Sequence, residues 1–180
     1  MRSPGFVTDR HNHTAGADKA TFSLDRIYRY GLTRRWASGP TACWIMLNPS
    51  TADAFREDNT SRRVATFTRR FGNFGSLVIV NLYALRSTKP DALWTHPDPI
   101  GPLGEEFLRS NANSRTLIIA AWGAHGARNG RGNQVADALT DAGLRLHCLG
   151  TTANGQPKHP LYVPGDTRLV PYRVGVTCDV

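Results

Sequence analysis

Cysteine is scarce in this sequence, which has three cysteines among its 180 residues. Cys43, Cys148 and Cys178 are too few and too widely spaced to provide a disulfide framework or a four-cysteine metal site. Iron–sulfur clusters are excluded for the same reason, because they need four ligands. Histidines and carboxylates do not cluster along the chain either, so we expect neither a bound metal nor another cofactor.

Long hydrophobic runs are also missing. The first twenty residues lack the apolar segment of a signal peptide, and no stretch approaches the length of a membrane span. We therefore expect a cytoplasmic protein without a membrane partner, and we expect it to be a monomer. A Walker-type glycine-rich loop is absent as well, which disfavours nucleotide hydrolysis at a P-loop.

Lysine is rare, whereas arginine is abundant. The chain has 22 basic residues against 14 acidic ones, a net charge of +8, and only three of the basic residues are lysines. The guanidinium group binds phosphate and carboxylate bidentately, so this composition favours a phosphate-bearing partner such as DNA. The codon usage of a GC-rich genome is an alternative explanation for the ratio of arginine to lysine.

The length of the chain predicts a single domain. Residues 1–24 are polar and predict a flexible N-terminal arm, and residues 25–180 predict one globular α/β domain. Four apolar runs without alternation, at residues 41–47, 76–85, 115–123 and 144–150, predict buried strands.

Helical patterns separate these predicted strands. One helix is expected to begin near Asp58 and to end at Gly72, a second covers residues 103–113, and a third contains Val135 and Leu139. Buried strands that alternate with helices are typical of parallel sheets covered on both faces. The expected fold is a three-layer α/β/α sandwich with a mostly parallel, four-stranded central sheet.

Polar residues follow the predicted strands, where the ligands of such sheets bind. Asn48 comes directly after the first strand and Asn81 ends the LVIV run of the second. His125 follows the third strand, and His159 lies shortly after the fourth. We therefore expect these four side chains to converge at one edge of the sheet.

Each of these residues also has a structural interpretation. The Asn48-Pro49 pair can hold a water molecule or a polar substrate, but taken by itself it favours a plain turn. Asn81 can bind a ligand edge or the backbone of a neighbouring loop. His159 can donate a hydrogen bond to a developing anion or lie on the surface, and the same holds for His125.

Charged residues near the first predicted helix leave similar alternatives. Asp53 and Asp58 can orient a nucleophilic water or cap the helix, and for Asp58 capping is favoured. The helix surface forms either a ridge that faces phosphates or a solvated face. This surface carries Arg62, Arg63, Arg69 and Arg70.

Three segments resemble motifs of the uracil-DNA glycosylase superfamily. WIMLNPSTAD resembles its first motif, in which a strand leads into a turn with Asp-Pro or Asn-Pro. QPKHPLYVP resembles its His-Pro-Ser-Pro motif, and LIIAAWGAHGARNGR is similar to the strand and turn between the two. Over about residues 25–172 the chain also resembles a bacterial family that is defined only as a domain of unknown function.

The superfamily resemblance implies a glycosylase-like fold and the hydrolysis of the N-glycosidic bond of a damaged or modified DNA base, after base flipping. It implies catalytic roles for Asn48, His159 and Asp53, with Asn48 holding the water. A further set of residues would contact the base, namely Asn81, Phe55 and His125. The four helix arginines, Arg62, Arg63, Arg69 and Arg70, would bind DNA phosphates together with Lys158.

Leu161 and Tyr162 stand where the superfamily motif has Ser-Pro, so a base other than uracil is as consistent with the sequence as uracil itself. Two other classes also fit the residues. One is a hydrolase or transferase of free nucleosides or nucleotides, and the other is a noncatalytic DNA-binding protein.

Overall fold

Eight strands form one mixed sheet in the computed structural model, which describes residues 4–89 and 91–176. The strands lie in the spatial order β1-β2-β3-β5-β4-β6-β7-β8. Their bounds are β1 Phe6–His13, β2 Gly16–Ser23, β3 Arg29–Arg35, β4 Thr41–Met46, β5 Ser76–Asn81, β6 Thr116–Ala120, β7 Leu146–Cys148 and β8 Val170–Tyr172. The helices are α1 Asn59–Arg70, α2 Asp91–Thr95, α3 Gly104–Asn111 and α4 Arg131–Asp141.

The middle of the sheet is parallel. Strand β4 pairs with β5 and with β6 in parallel register, so that Met46 lies opposite Asn81 and Ile45 opposite Ala120. Strand β7 continues this arrangement beside β6. Each of these four strands lies within one of the apolar runs of the sequence, because residues that are buried on both faces need no polar alternation.

The predicted fold class is wrong, because the sheet has eight strands and is mixed. Strands β1, β2 and β3 extend it on one side with antiparallel pairing, and β8 adds an antiparallel strand on the other side. The four parallel strands are therefore only the centre of an eight-stranded mixed sheet, and the molecule is not a three-layer sandwich around a four-stranded, mostly parallel sheet.

The N-terminal residues form a β-hairpin where the sequence suggested a flexible arm. Pairing runs from Phe6 opposite Ser23 to His13 opposite Gly16, and the guanidinium of Arg26 donates to both carboxylate oxygens of Asp9 at 2.7 and 2.9 Å. Strand β1 is exposed along most of its length, so it lacks the apolar alternation that marks a half-buried strand. This absence explains why sequence patterning missed it.

Helix α1 covers one face of the parallel strands. It begins as predicted after Asp58, whose side chain accepts from the Ser61 N–H at 2.7 Å while the Ser61 hydroxyl accepts from the Asp58 N–H at 3.1 Å. Phe67 belongs to the same buried cluster as Trp44, and the Trp44 indole donates to the Thr68 hydroxyl at 2.9 Å. Helix α1 is thereby fixed with its N-terminus at the carboxyl edge of the sheet.

The opposite face of the sheet packs against α3 and α4. Leu108 of α3 and Leu139 of α4 share a buried cluster with Ile45, Val80 and Ile118 of the parallel strands. Cys43 and Cys148 are buried in this cluster, whereas Cys178 lies outside the described residues. Within the described part of the chain, no helix is long and apolar enough to cross a membrane.

Candidate functional site

A cavity of about 500 Å³ lies at the carboxyl ends of β4, β5 and β6. Of the residues that the sequence analysis considered for a functional role, it is lined by Asn48, Asp58, Asn81, His125, Lys158 and His159. The first turn of α1 and Arg29 of β3 also line the cavity. Segments that are far apart along the chain therefore meet at the edge where α/β sheets bind ligands.

Asn81 is the least satisfied polar side chain of this cavity. It ends β5 with only 5% of its surface exposed, and neither Oδ1 nor Nδ2 has a hydrogen-bond partner among the described residues. A buried amide without partners destabilises a protein by about 1–3 kcal/mol. The neighbouring loop backbone, which the sequence left as an alternative partner, does not bind it, so both the donor and the acceptor of the amide are unsatisfied among the described residues.

Asn48 is held rigidly by its own turn. Its Nδ2 donates to the carbonyl oxygens of Ser87 at 2.8 Å and Pro49 at 3.1 Å, and the Ser87 N–H donates back to the Pro49 carbonyl at 3.0 Å. These bonds occupy the donor side of the amide. Its Oδ1 accepts no hydrogen bond from the described residues, and this oxygen can accept one from a water molecule.

His159 has a defined tautomer. Its Nδ1 accepts a hydrogen bond from the Leu161 N–H at 3.3 Å, so in the neutral ring the proton is carried by Nε2. Burial lowers the pKa of His159, while Asp58 acts in the opposite direction with a smaller effect. The ring is therefore a neutral hydrogen-bond donor at pH 7.

Arg63 fixes the loop that carries His159. Its Nη2 donates to the Val163 carbonyl at 2.7 Å and its Nε to the Pro160 carbonyl at 3.3 Å. On the other side of the loop, the Gly123 N–H donates to the Pro157 carbonyl at 2.9 Å. Gly123 has a φ of 74°, a backbone conformation that favours glycine.

Trp122 is buried beside this loop and is held by a chain of amides. Its indole N–H donates to Gln156 Oε1 at 2.8 Å, and Gln156 Nε2 donates to Asn133 Oδ1 at 2.9 Å. A Cβ atom at Gly126 would lie 1.9 Å from Trp122 Cδ1, so this position requires glycine. The Gly-rich segment after β6 thus serves the packing of Trp122.

Arg29 is a cavity residue that the sequence analysis did not nominate. It is 3% exposed and donates from Nη1 to the Ala52 carbonyl, while its Nε has no hydrogen-bond partner among the described residues. Burial lowers the pKa of Arg29 to about 10, which leaves it charged at neutral pH. The sequence does signal a buried arginine here, because Arg29 lies within the apolar stretch IYRYGL. The assumption that charged residues lie at the surface hides this signal.

Of the residues nominated for catalysis or base contact, Asp53 and Phe55 lie away from the cavity lining. Asp53 Oδ1 accepts from the N–H groups of Phe55 at 2.8 Å and Arg56 at 2.9 Å, which makes a local turn. Phe55 is 64% exposed, and its ring centroid lies 5.6 Å from that of His11. Neither is among the residues that line the cavity.

The four arginines of α1 do not form one free ridge. Arg63 binds the His159 loop, and the guanidinium of Arg69 lies over the Trp36 ring at 4.3 Å. Arg62 donates to Asn59 Oδ1 at 2.8 Å and is exposed, as is Arg70. Three of the four guanidinium groups thus make contacts within the molecule, and two of these three, Arg63 and Arg69, hold other segments of the chain.

Replacing Asp58 by alanine removes the N-cap of α1 and is expected to lower the free energy of unfolding by about 1 kcal/mol. Urea unfolding at pH 7 measures this change. Asp58→Asn is the matched control, because asparagine keeps the side-chain acceptor and should retain most of the stability. An equal loss in both variants would show that the charge of Asp58, and not its hydrogen bond, stabilises the helix.

The structure is that of an α/β protein with a mixed sheet and a cavity at the carboxyl ends of its parallel strands. The chain belongs to a family described as a protein of unknown function (DUF1643), whose model matches residues 29–161. That match begins at Arg29 and includes Asn48, Asn81 and His159. No curated protein and no solved structure matches the chain.

Proposed function

We propose that this protein is an N-glycosylase, which hydrolyses the bond between a damaged or modified DNA base and its sugar. The observation that carries the proposal is the buried Asn81 amide, whose donor and acceptor are both unpartnered in the cavity. A nucleobase edge presents an acceptor and a donor side by side, which such an amide can bind. The resemblance to the uracil-DNA glycosylase motifs supports the same reaction.

Asn48 and His159 supply what this reaction needs besides base binding. Water adds its oxygen to the C1′ atom of the sugar while the bond from C1′ to the base nitrogen breaks, and the electron pair leaves with the base. Asn48 Oδ1 accepts a hydrogen bond from the water, and His159 Nε2–H donates one to the base as negative charge develops. The proton released by the water ends on the base, so the products are a free base and an abasic sugar.

The rim of the cavity fits a nucleic acid that delivers a flipped base. Tyr162 lines the cavity with 83% of its surface exposed, and the neighbouring Leu161 is also exposed. Exposed apolar side chains beside a base pocket can fill the space that a flipped nucleotide leaves in the stack. Lys158 at the cavity and the exposed Arg62 and Arg70 supply positive charge for phosphates.

The test is to incubate the protein with single- and double-stranded oligonucleotides that carry uracil, hypoxanthine, a hydroxymethylated pyrimidine or a bulky adduct. Alkali then cleaves any strand in which a base has been released. We expect cleavage at one lesion by the wild type and by the surface controls Asn12→Ala and His13→Ala, and its loss in Asn48→Ala. DNA binding without release of any base would favour a noncatalytic binding protein.

A second candidate function is the hydrolysis of free nucleosides or nucleotides. It is favoured by the internal use of Arg63 and Arg69, which leaves fewer free cations for a DNA backbone. Salt dependence distinguishes the two functions. An enzyme that acts on DNA loses affinity steeply between 50 and 200 mM salt, whereas turnover of a free nucleoside stays nearly constant.

A further inference from the structure

Arg29 presents positive charge inside the cavity without a carboxylate partner. No Asp or Glu of residues 4–89 and 91–176 forms an ion pair with it, although the two other buried arginines, Arg34 and Arg131, each lie within 4.0 Å of a carboxylate. A buried charge is normally neutralised by a partner. Asp58 and Asp53 favour the charged form of Arg29 electrostatically but lie beyond ion-pair distance, so a ligand can bring the directly bound negative charge that Arg29 lacks.

The first turn of α1 adds to this positive field at the same place. Thr60 and Ser61 of the first turn line the cavity, and this turn of the 12-residue helix contains no acidic residue. The N-cap carboxylate of Asp58 also lines the cavity and offsets part of the positive charge there. The Ser61 N–H is bound by Asp58, whereas the Thr60 N–H has no partner among the described residues. Free N–H groups at a helix N-terminus bind phosphate oxygens.

Asn81 is a second, independent feature of this part of the cavity, beside the N-terminus of α1. Its amide is unpartnered and 5% exposed, and it lies on β5, which pairs directly with β3, the strand that begins with Arg29. A neutral amide and a guanidinium thus lie at the same edge on neighbouring strands. One nucleotide offers both matching groups, namely a base and a phosphate.

We propose that Arg29 and the first turn of α1 form a phosphate subsite, so that the substrate is a nucleotide whose base contacts Asn81 and whose phosphate contacts Arg29. This assignment rests on the proposed function for the base, but the phosphate subsite can be tested without any base. The phosphate has two possible sources, the backbone of a flipped nucleotide in DNA and the 5′-phosphate of a free nucleotide.

Isothermal titration calorimetry with 2-deoxyribose 5-phosphate tests the free source, with uncharged 2-deoxyribose as its control. An oligonucleotide with one tetrahydrofuran abasic site tests the DNA source, and its control carries a neutral methylphosphonate 5′ to that site. We expect the wild type to bind one of the charged probes more tightly than its neutral control. We expect Arg29→Gln to weaken this binding by about 10- to 100-fold, the effect of losing a charge-assisted hydrogen bond.

Arg34→Gln is the matched control. Arg34 is also a buried arginine that holds the loop after β4, through the Asp53 and Arg56 carbonyls, but it does not line the cavity. It should change the affinity by less than about twofold, whereas Arg29→Lys should recover part of the lost affinity by restoring the charge. Circular dichroism and urea unfolding verify that each variant is folded before its binding is compared.

Three outcomes would overturn the phosphate subsite: equal binding of charged and neutral probes, equal losses in Arg29→Gln and Arg34→Gln, or no effect of Arg29→Gln. Base release is measured separately with the lesion oligonucleotides. Phosphate-dependent binding without base release would leave the subsite standing and reject the glycosylase. Base release by an enzyme that binds charged and neutral probes equally would reject the phosphate subsite and leave the glycosylase standing.

Discussion

Replacing His159 by alanine is expected to lower the rate of base release by about 100- to 1000-fold, the usual effect of removing a donor to a developing anion. The ring is suited to this role because Nδ1 accepts from the Leu161 N–H, which leaves the proton on Nε2. Base affinity should change far less, because the hydrogen bond strengthens only as negative charge develops. Single-turnover cleavage of the reactive oligonucleotide, with the substrate affinity measured in parallel, separates the two effects.

The tautomer and the burial of His159 also predict how the rate of base release depends on pH. Burial lowers the pKa of His159, so the neutral ring dominates at pH 7 and the rate should be constant above that pKa. As the pH falls through the lowered pKa, protonation of Nδ1 removes the acceptor of the Leu161 N–H and the rate should decrease. His13→Ala, which changes an exposed histidine on β1, should keep the wild-type profile. A rate that rises toward low pH would require a charged imidazolium and would contradict the assignment.

Replacing Asn81 by leucine is expected to stabilise the protein while it abolishes base release. The substitution removes a buried amide that has no partners and puts an apolar side chain of similar size at the end of β5. We expect the free energy of unfolding in urea to rise by about 1 kcal/mol. Activity should fall below detection, because leucine offers the base neither a donor nor an acceptor.

Asn12→Leu is the control for Asn81, because Asn12 is exposed on β1 and should alter neither stability nor activity. A destabilised Asn81→Leu variant would show that the amide is satisfied in the free protein. Retained cleavage would show that the base is read elsewhere. A variant that is more stable but inactive is the result expected when a residue is kept for binding although it destabilises the folded protein.

The four parallel strands could be predicted because their sequences carry a simple signal. β5 is buried at every position, and its residues Leu77 to Val80 form an unbroken apolar run. Strand β1 lacks that signal, since it is largely polar and exposed, and the buried strand β3 lacks it because arginines interrupt its apolar residues. Local sequence therefore indicated the centre of the sheet, whereas the edge strands depend on pairing with neighbours that are already formed.

The site was predictable where one polar residue follows an apolar strand, as Asn48 and Asn81 do. The roles of Asp53 and Phe55 were implied by the superfamily resemblance, but the turn that they form carries them away from the cavity. Arg29 was missed for the opposite reason, because its burial depends on contacts with Ala52, which lies 23 residues away. Contacts of that kind arise from the tertiary structure and leave no periodic pattern in the sequence.

The bonds from Arg63 to the His159 loop have a consequence for how the molecule is made. The two carbonyls that Arg63 binds, those of Pro160 and Val163, follow it by 97 and 100 residues. At a synthesis rate of about 5–20 residues per second, helix α1 leaves the ribosome roughly 5–20 s before its partner loop is translated. A nascent chain that carries Asn48 and Asn81 but not yet residue 159 lacks the proposed donor, so the proposed hydrolysis cannot begin until the His159 loop has been translated.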